Sequence, residues 1–336
     1  KTGAQQALVG QAVGLERAIA GKASPETVAK NARSLAAALL VAYPVTLAPK
    51  GLLIEEQQTN LALQSAALET SPWSSVVSGS AALTVINNAC LAPDGAISGT
   101  QINFSATVDG ENCLRRQSIA ISNATVYTHS VWLRANFATT IYVRGVNGTF
   151  SALSVGATWS RFTLTTTSNT TTHNFDISPK PSSVGPSSAV TLFVWGAQLE
   201  AGAFATSYIP TTIAQVTRTA DNASITGTNF SSWYNQAEGT LSVGFIPVGT
   251  IASNTRIAEM SGGTGARVAD LYISGSKGVM YNGTTTLSAA TNVALNTAYK
   301  IAGAYKTLNY ALTAMGANPT TEIGRASCRE RVSSPV

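Results

Sequence analysis

The sequence predicts a mainly β chain: two antiparallel β-sandwich domains in tandem, preceded by a short helical segment. Three observations predict it. Only 11% of the 336 residues are charged, while Thr, Ser, Asn and Gly are abundant, as on strands with outward hydroxyls and turns built from small polar residues. Short alternating runs recur along the chain, bounded by turn signals such as Pro93-Asp94-Gly95, Asp109-Gly110 and Asn147-Gly148. One long strand pattern, from Val190 to Leu199, ends in Glu200-Ala-Gly and an irregular stretch that Pro210 keeps out of a central strand, after which the pattern starts anew.

The elements follow in order. Residues 3–42 are rich in Ala, Leu, Gln, Lys and Glu, and Ser24-Pro25-Glu26 supplies a cap, a first-turn proline and an acid. This predicts helices over 5–21 and 25–42, serving as a stalk that trimerises or docks, or as a hairpin packed on its own domain. The apolar window Ser34–Ala48 is too short to span a bilayer and holds Pro44. Strands are predicted over 60–65, 82–87, 100–107, 114–121, 126–135, 139–146, 159–167, 172–178 and 189–200. With no helix between them these make one two-sheet sandwich over 49–218. A second sandwich over 219–321 takes strands over 239–246, 255–260, 267–273, 277–281, 284–289, 298–305 and 308–314.

The net charge of +5 gives little reason to expect nucleic acid. Arg325, Arg329 and Arg331 lie in the last dozen residues, and the other cations are scattered, with no basic stripe and interleaved aromatics. Cys90 and Cys113 are expected as free thiols.

Catalysis finds few groups to use. His129 alternates with Tyr127, Val131 and Leu133, which places it on the core face, and His173 has no nucleophile beside it. The carboxylates are isolated and no metal-binding, phosphate-binding or nucleophile motif occurs, so a non-enzyme without cofactors is expected. Binding fares better, because aromatic faces stack on sugar rings while planar polar groups fix hydroxyls. Trp132 stands opposite the core phase of its strand, and Tyr142 and Arg144 stand opposite that of the next. If those strands are neighbours, Trp132, Tyr142 and Arg144 form one carbohydrate-binding platform. The alternative is that the face is covered by the helical segment or by a neighbouring protomer. Trp73, Trp159, Trp195 and Trp233 are expected in cores.

Particular strings carry a family resemblance. WGAQLE followed by TSYIPT within Leu192–Thr212, and GLLIE with TNL in the 51–61 stretch, resemble the carbohydrate-binding-module type jelly roll of bacteriophage tail-fibre and head-spike proteins. FSSWYNQAEGTLSVGF (Phe230–Phe245) and YKIAGAYKTLNY (Tyr299–Tyr310) resemble parts of the concanavalin A-like (laminin-G-like) sandwich that typically follows it. The resemblance implies a virion protein that binds host-surface polysaccharide and contacts other virion proteins, as a homotrimer, without nucleic acid or membrane insertion. The alternatives are a purely structural virion spacer, or the non-catalytic part of a polysaccharide depolymerase. It also implies that a structural calcium is often held near the last strand, for which Glu200 and Asp94 are the nearest oxygen donors; the metal stays unassigned.

The ends carry their own expectations. The chain begins with Lys1, as if inside a longer reading frame. Ile323–Val332, IGRASCRERV, resembles a translated sequencing adapter, so residues 322–336 are expected to be a non-native tail and the second sandwich to be cut short.

Overall fold

The computed structural model describes residues 52–248, 251, 254–261, 267–306, 309–315 and 320–323. The chain divides into two units, Lys1–Leu53 and Ile54–Val336. The helices expected over 5–21 and 25–42, and nearly all of the proposed tail, lie outside the described residues. Among the described residues, no helix is long and apolar enough to cross a membrane.

The second unit is built from strands, as the composition requires. The first sandwich holds β2 (Ser74–Val77), β3 (Leu83–Leu91), β4 (Ile97–Phe104), β5 (Cys113–Ala120), β6 (Val126–Ala135), β7 (Thr139–Arg144), β8 (Phe150–Val155), β9 (Ser160–Thr167), β10 (Thr172–Ser178) and β11 (Val190–Ala201). They form two antiparallel five-stranded sheets, ordered β2-β5-β10-β7-β8 and β3-β4-β11-β6-β9. We call these the tyrosine sheet and the tryptophan sheet, after the outward residues discussed below. A short ribbon, β1 (Gln58–Asn60) against β12 (Val216–Arg218), ties the first strand to the last segment.

Alternation fills the space between the sheets. Ile102, Phe104, Val131, Leu133, Ile141, Val143, Phe175, Ile177, Leu192, Val194 and Leu199 all point inward and are buried. Asn60 secures the entry of the chain: fully buried, it donates through Nδ2 to Ala197 O and Ile209 O and accepts at Oδ1 from the amides of Ala62 and Leu199. Cys90 and Cys113 are free thiols.

Two strands of these two sheets escape the sequence reading. In β8, Phe150 and Ala152 lie in one phase and Leu153 and Val155 in the other, so apolar residues fall on both faces and no period-2 signal survives. β2 is a short, serine-led edge strand. Conversely, the strand expected over 60–65 ends at Asn60, and the chain then turns to fold over the sandwich rim, where Leu68 and Trp73 are buried.

Among the described residues, the second sandwich has two four-stranded sheets with their own core around Leu271, Ile273, Met280, Ile301 and Leu312. One runs β13 (Glu238–Phe245), β18 (Tyr299–Lys306), β19 (Asn309–Ala314), β20 (Thr320–Ile323). The other is a meander of β14 (Thr255–Ser261), β15 (Arg267–Ser274), β16 (Lys277–Tyr281) and β17 (Thr286–Asn292). β20, which the sequence reading does not place, pairs with β19 and takes in Ile323.

Candidate functional site

Strands β6 and β7 follow each other in the chain but lie in different sheets. Their outward faces therefore look away from each other, and the single platform of Trp132, Tyr142 and Arg144 is not formed. The expectation required neighbouring strands. Alternation tells which residues point outward, but not which sheet a strand joins.

The tryptophan sheet's outer face is covered by its own chain around the end of β11, while Thr84, Ile86, Thr163 and Thr165 on its other strands remain exposed. The register of β11 shifts between Trp195 and Gln198, where Gly196 sits at φ 65, in the left-handed region. A Cβ there would stand 3.2 Å from Trp132 Cδ1 and 3.4 Å from Tyr208 Cδ2. The bulge slips the alternation by one, so Trp195, Gln198 and Glu200 all face outward beneath the 203–212 segment. Trp195 packs on Tyr208 with ring centroids 4.4 Å apart, and burial pushes the Tyr208 phenol up to about 12. Arg161 ties β9 to this segment by donating to Thr206 O (2.6 Å) and to β6 by donating to Ser130 Oγ (2.8 Å), and the fully buried Glu200 accepts from Thr206 N and Oγ1. Further along, Trp159 lies beside Gly99, whose missing side chain makes room for Cys90 Sγ, and donates to Leu91 O. Arg134 packs between the rings of Phe193 and Trp159, 4.2 and 5.4 Å from their centroids. Trp132 is thus half-buried in packing.

The tyrosine sheet presents a second surface. Along its outer face Ser118, Ala120, Thr140, Ala152 and Ser154 are exposed. Register sets one row of side chains across it. Ser74 pairs with Arg116 and Arg116 with Asp176. Arg144, the next outward residue on β7, pairs with Phe150 on β8. Asp176 accepts from Arg116 Nε at 2.6 Å and Nη2 at 2.8 Å, and from Arg144 Nη1 at 3.4 Å. The Arg144 guanidinium lies 5.5 Å from the Phe150 ring centroid and donates through Nε to Gly148 O. Asp176 holds Arg116 above the ordinary arginine range by hydrogen bond and charge. In the adjoining row, Tyr142 stands between Ser178 and Ala152. Its ring helps line a cleft of about 360 Å3, whose walls include Phe137, Thr140, Pro179, Lys180 and Pro186. A volume of that size lies in the range of small-molecule sites, ~300–1,000 Å3. Aromatic, guanidinium and hydroxyl groups are thereby gathered on one open surface. Tyr142 and Arg144 belong to it, and the sequence reading missed Phe150, Arg116 and Asp176. Asp176 was legible only as an isolated carboxylate.

The remaining predicted groups fall as follows. His129 and His173 are both buried, on the inner faces of β6 and β10. Asp94 accepts from Ala96 N and Ser98 Oγ within its turn. Among the described residues, no three His, Cys, Asp or Glu side chains gather as metal ligands. Trp73 is in the core and Trp195 is buried on the outer side, whereas Trp233 is 61% exposed at the end of a single helical turn, contrary to the expectation of core packing.

No protein-family model matches the chain, and no curated protein matches it. Solved structures do. TmCBM61, solved with β-1,4-galactotriose, matches at 18% identity over 42% of this chain and 97% of that one, with a TM-score of 0.28. The family 11 carbohydrate-binding module from Clostridium thermocellum matches at 8% identity over 47% of this chain and 98% of that one, with a TM-score of 0.29. The enzymatically active domain of bacteriophage CBA120 tailspike protein 4 matches at 16% identity over 42% of this chain, but only 21% of that one, with a TM-score of 0.28. At these scores the likeness decides nothing about function.

Proposed function

We propose that the chain is a non-catalytic glycan-binding protein that holds saccharide on the outer face of the tyrosine sheet. The observation that carries this reading is the row Arg116–Asp176–Arg144–Phe150, whose arginines and phenylalanine are partly exposed, with Tyr142 beside it. Sugar rings present apolar C–H faces edged by hydroxyls, which suit aromatic faces flanked by planar charged donors. The only ionisable groups on this row are engaged with one another, and both described histidines lie between the sheets, which supports binding rather than chemistry.

The setting we propose is a bacteriophage tail-fibre or spike protein that recognises host-surface polysaccharide, on the strength of the sequence strings in Leu192–Thr212 and residues 51–61. Attachment to other virion proteins and trimerisation belong to the same proposal. Weak sites repeated in an oligomer would gain avidity by ~10²–10⁴.

The test is affinity electrophoresis of the full chain through gels carrying bacterial cell-envelope polysaccharides. Retarded migration that Tyr142→Ala abolishes supports the reading. Absence of retardation by any polysaccharide, or retardation that Tyr142→Ala leaves intact, refutes it.

A further inference from the structure

We propose that the saccharide bound on the tyrosine sheet is acidic and is recognised through its carboxylate by Arg144 and Arg116. The inference rests on the glycan-binding reading and narrows it to uronic or similarly carboxylated sugars.

The charge pattern of the row carries it. In the five strands of this sheet, the outward positions hold two arginines and one carboxylate, Asp176. Asp176 is fully buried, whereas the Arg116 and Arg144 side chains remain 26% and 31% exposed. Solvent, and any ligand, therefore meets the donors and not the acceptor. The Asp176 oxygens already accept three hydrogen bonds, and Ser118 Oγ donates to Asn174 Oδ1 at 2.6 Å. A neutral sugar, whose hydroxyls donate as readily as they accept, would find the one carboxylate of the row buried and already engaged, with hydroxyls alone left to accept from it. An anionic sugar needs only donors. One carboxylate between two guanidiniums also leaves an excess positive charge on the row, and a guanidinium edge matches a carboxylate in two parallel bonds.

Geometry adds preorganisation. Arg144 is fixed from three sides: by Gly148 O at Nε, by Asp176 at Nη1 and by the Phe150 ring beneath it. It loses less side-chain freedom on binding than a free surface arginine would. Lys180 adds a second cation at the Tyr142 cleft, with Asp109 nearby, since both approach the Cα substituent position of Gly185 within 4 Å. The Arg116–Asp176–Arg144 row has no such second carboxylate on its strands.

The experiment compares acidic polymers with one whose charge has been removed. The full chain is run by affinity electrophoresis against polygalacturonate, alginate and polysialic acid, and against polygalacturonate whose carboxylates have been reduced to alcohols. Retardation by an acidic polymer that disappears on carboxyl reduction, and weakens roughly tenfold or more in Arg144→Gln, is the expected result. Arg144→Lys should also lose affinity, because an ammonium keeps the charge but not the paired donors. Equal retardation by the carboxyl-reduced polymer would overturn the inference while leaving the glycan-binding reading standing. Retardation by acidic polymers that persists in Arg144→Gln would overturn it as unspecific polyanion attraction. Failure to bind any polymer, charged or neutral, would sink both.

Discussion

His129 and His173 meet in the middle of the first sandwich, one from each sheet, with their Nε2 atoms 2.7 Å apart. Phe175 packs edge-on against His129 at 4.8 Å between ring centroids. Only one proton fits between those nitrogens, so one ring donates and the other accepts, and the two rings cannot both be cations. Burial lowers His129 to about 4. Burial first, then the charges of His129 and Arg144, lower His173 to about 3.

The pH dependence follows from these shifts. Unfolded, each histidine would titrate near the ordinary 6.5, so between that value and the folded ones the unfolded chain binds more protons. Stability therefore rises with pH through this window, is fully present above about 6.5, and is lost on acidification towards 4 and 3. Each histidine contributes at most about 1.4 kcal/mol per pH unit there. Thermal melts should show a Tm that is level at pH 7–8 and falls between pH 6.5 and 5, above the range where carboxylates titrate. The slope should be absent from the His129→Leu, His173→Leu double variant.

Asn60 makes a second stability prediction. Its four buried hydrogen bonds join three separated backbone segments. Asn60→Ala leaves two carbonyls and two amides without that partner, and should cost about 3–5 kcal/mol in urea unfolding. Asn60→Asp keeps the acceptor but loses both donations to Ala197 O and Ile209 O, and should be destabilised as well.

How much of this was legible in the sequence depends on which physical signal carried it. β6 reads directly from its residues because Tyr127, His129, Val131 and Leu133 alternate with more polar neighbours, and its observed bounds match the expected ones. Period 2 also gives the outward direction of Trp132, Tyr142 and Arg144. It carries no information on sheet membership, and so the β6-to-β7 crossing between sheets separates Trp132 from the other two. The Gly196 bulge is hidden for a similar reason: one residue in the left-handed region slips the phase, and no pattern of hydrophobicity marks it. The pairing of His129 with His173, and of Asp176 with Arg116 and Arg144, depends on long-range register that forms only when the sheets assemble.

The Asp176 cluster should respond to salt in a particular way. Asp176→Ala leaves two guanidiniums facing each other across β10 without the carboxylate that separates them. Because both are partly exposed, water relieves some of the repulsion, and the cost should be about 1–3 kcal/mol, less than for a fully buried pair. Raising ionic strength should restore part of the loss in the variant, through screening of like charges, while leaving the parent chain nearly unchanged.

The two faces of the sandwich make opposite predictions for their aromatic residues. Trp132 lies against Gly196 on a face occupied by Trp195, Tyr208 and the 203–212 segment. Removing its ring opens a void under that segment, so Trp132→Ala should lower stability by about 3–5 kcal/mol, as large-to-small changes in packed sites do. Its retention on polysaccharide at 20 °C, where it remains folded, should match the parent. Tyr142 stands on the open face with its ring at the cleft, where little protein packing is lost on truncation, so Tyr142→Ala should unfold within about 1 kcal/mol of the parent and yet lose retention. Denaturation and affinity electrophoresis on the same two proteins check both halves. A Trp132→Ala protein that is stable but no longer binds would place the ligand on the tryptophan sheet instead, since loss of binding without loss of packing is the mark of an exposed contact residue.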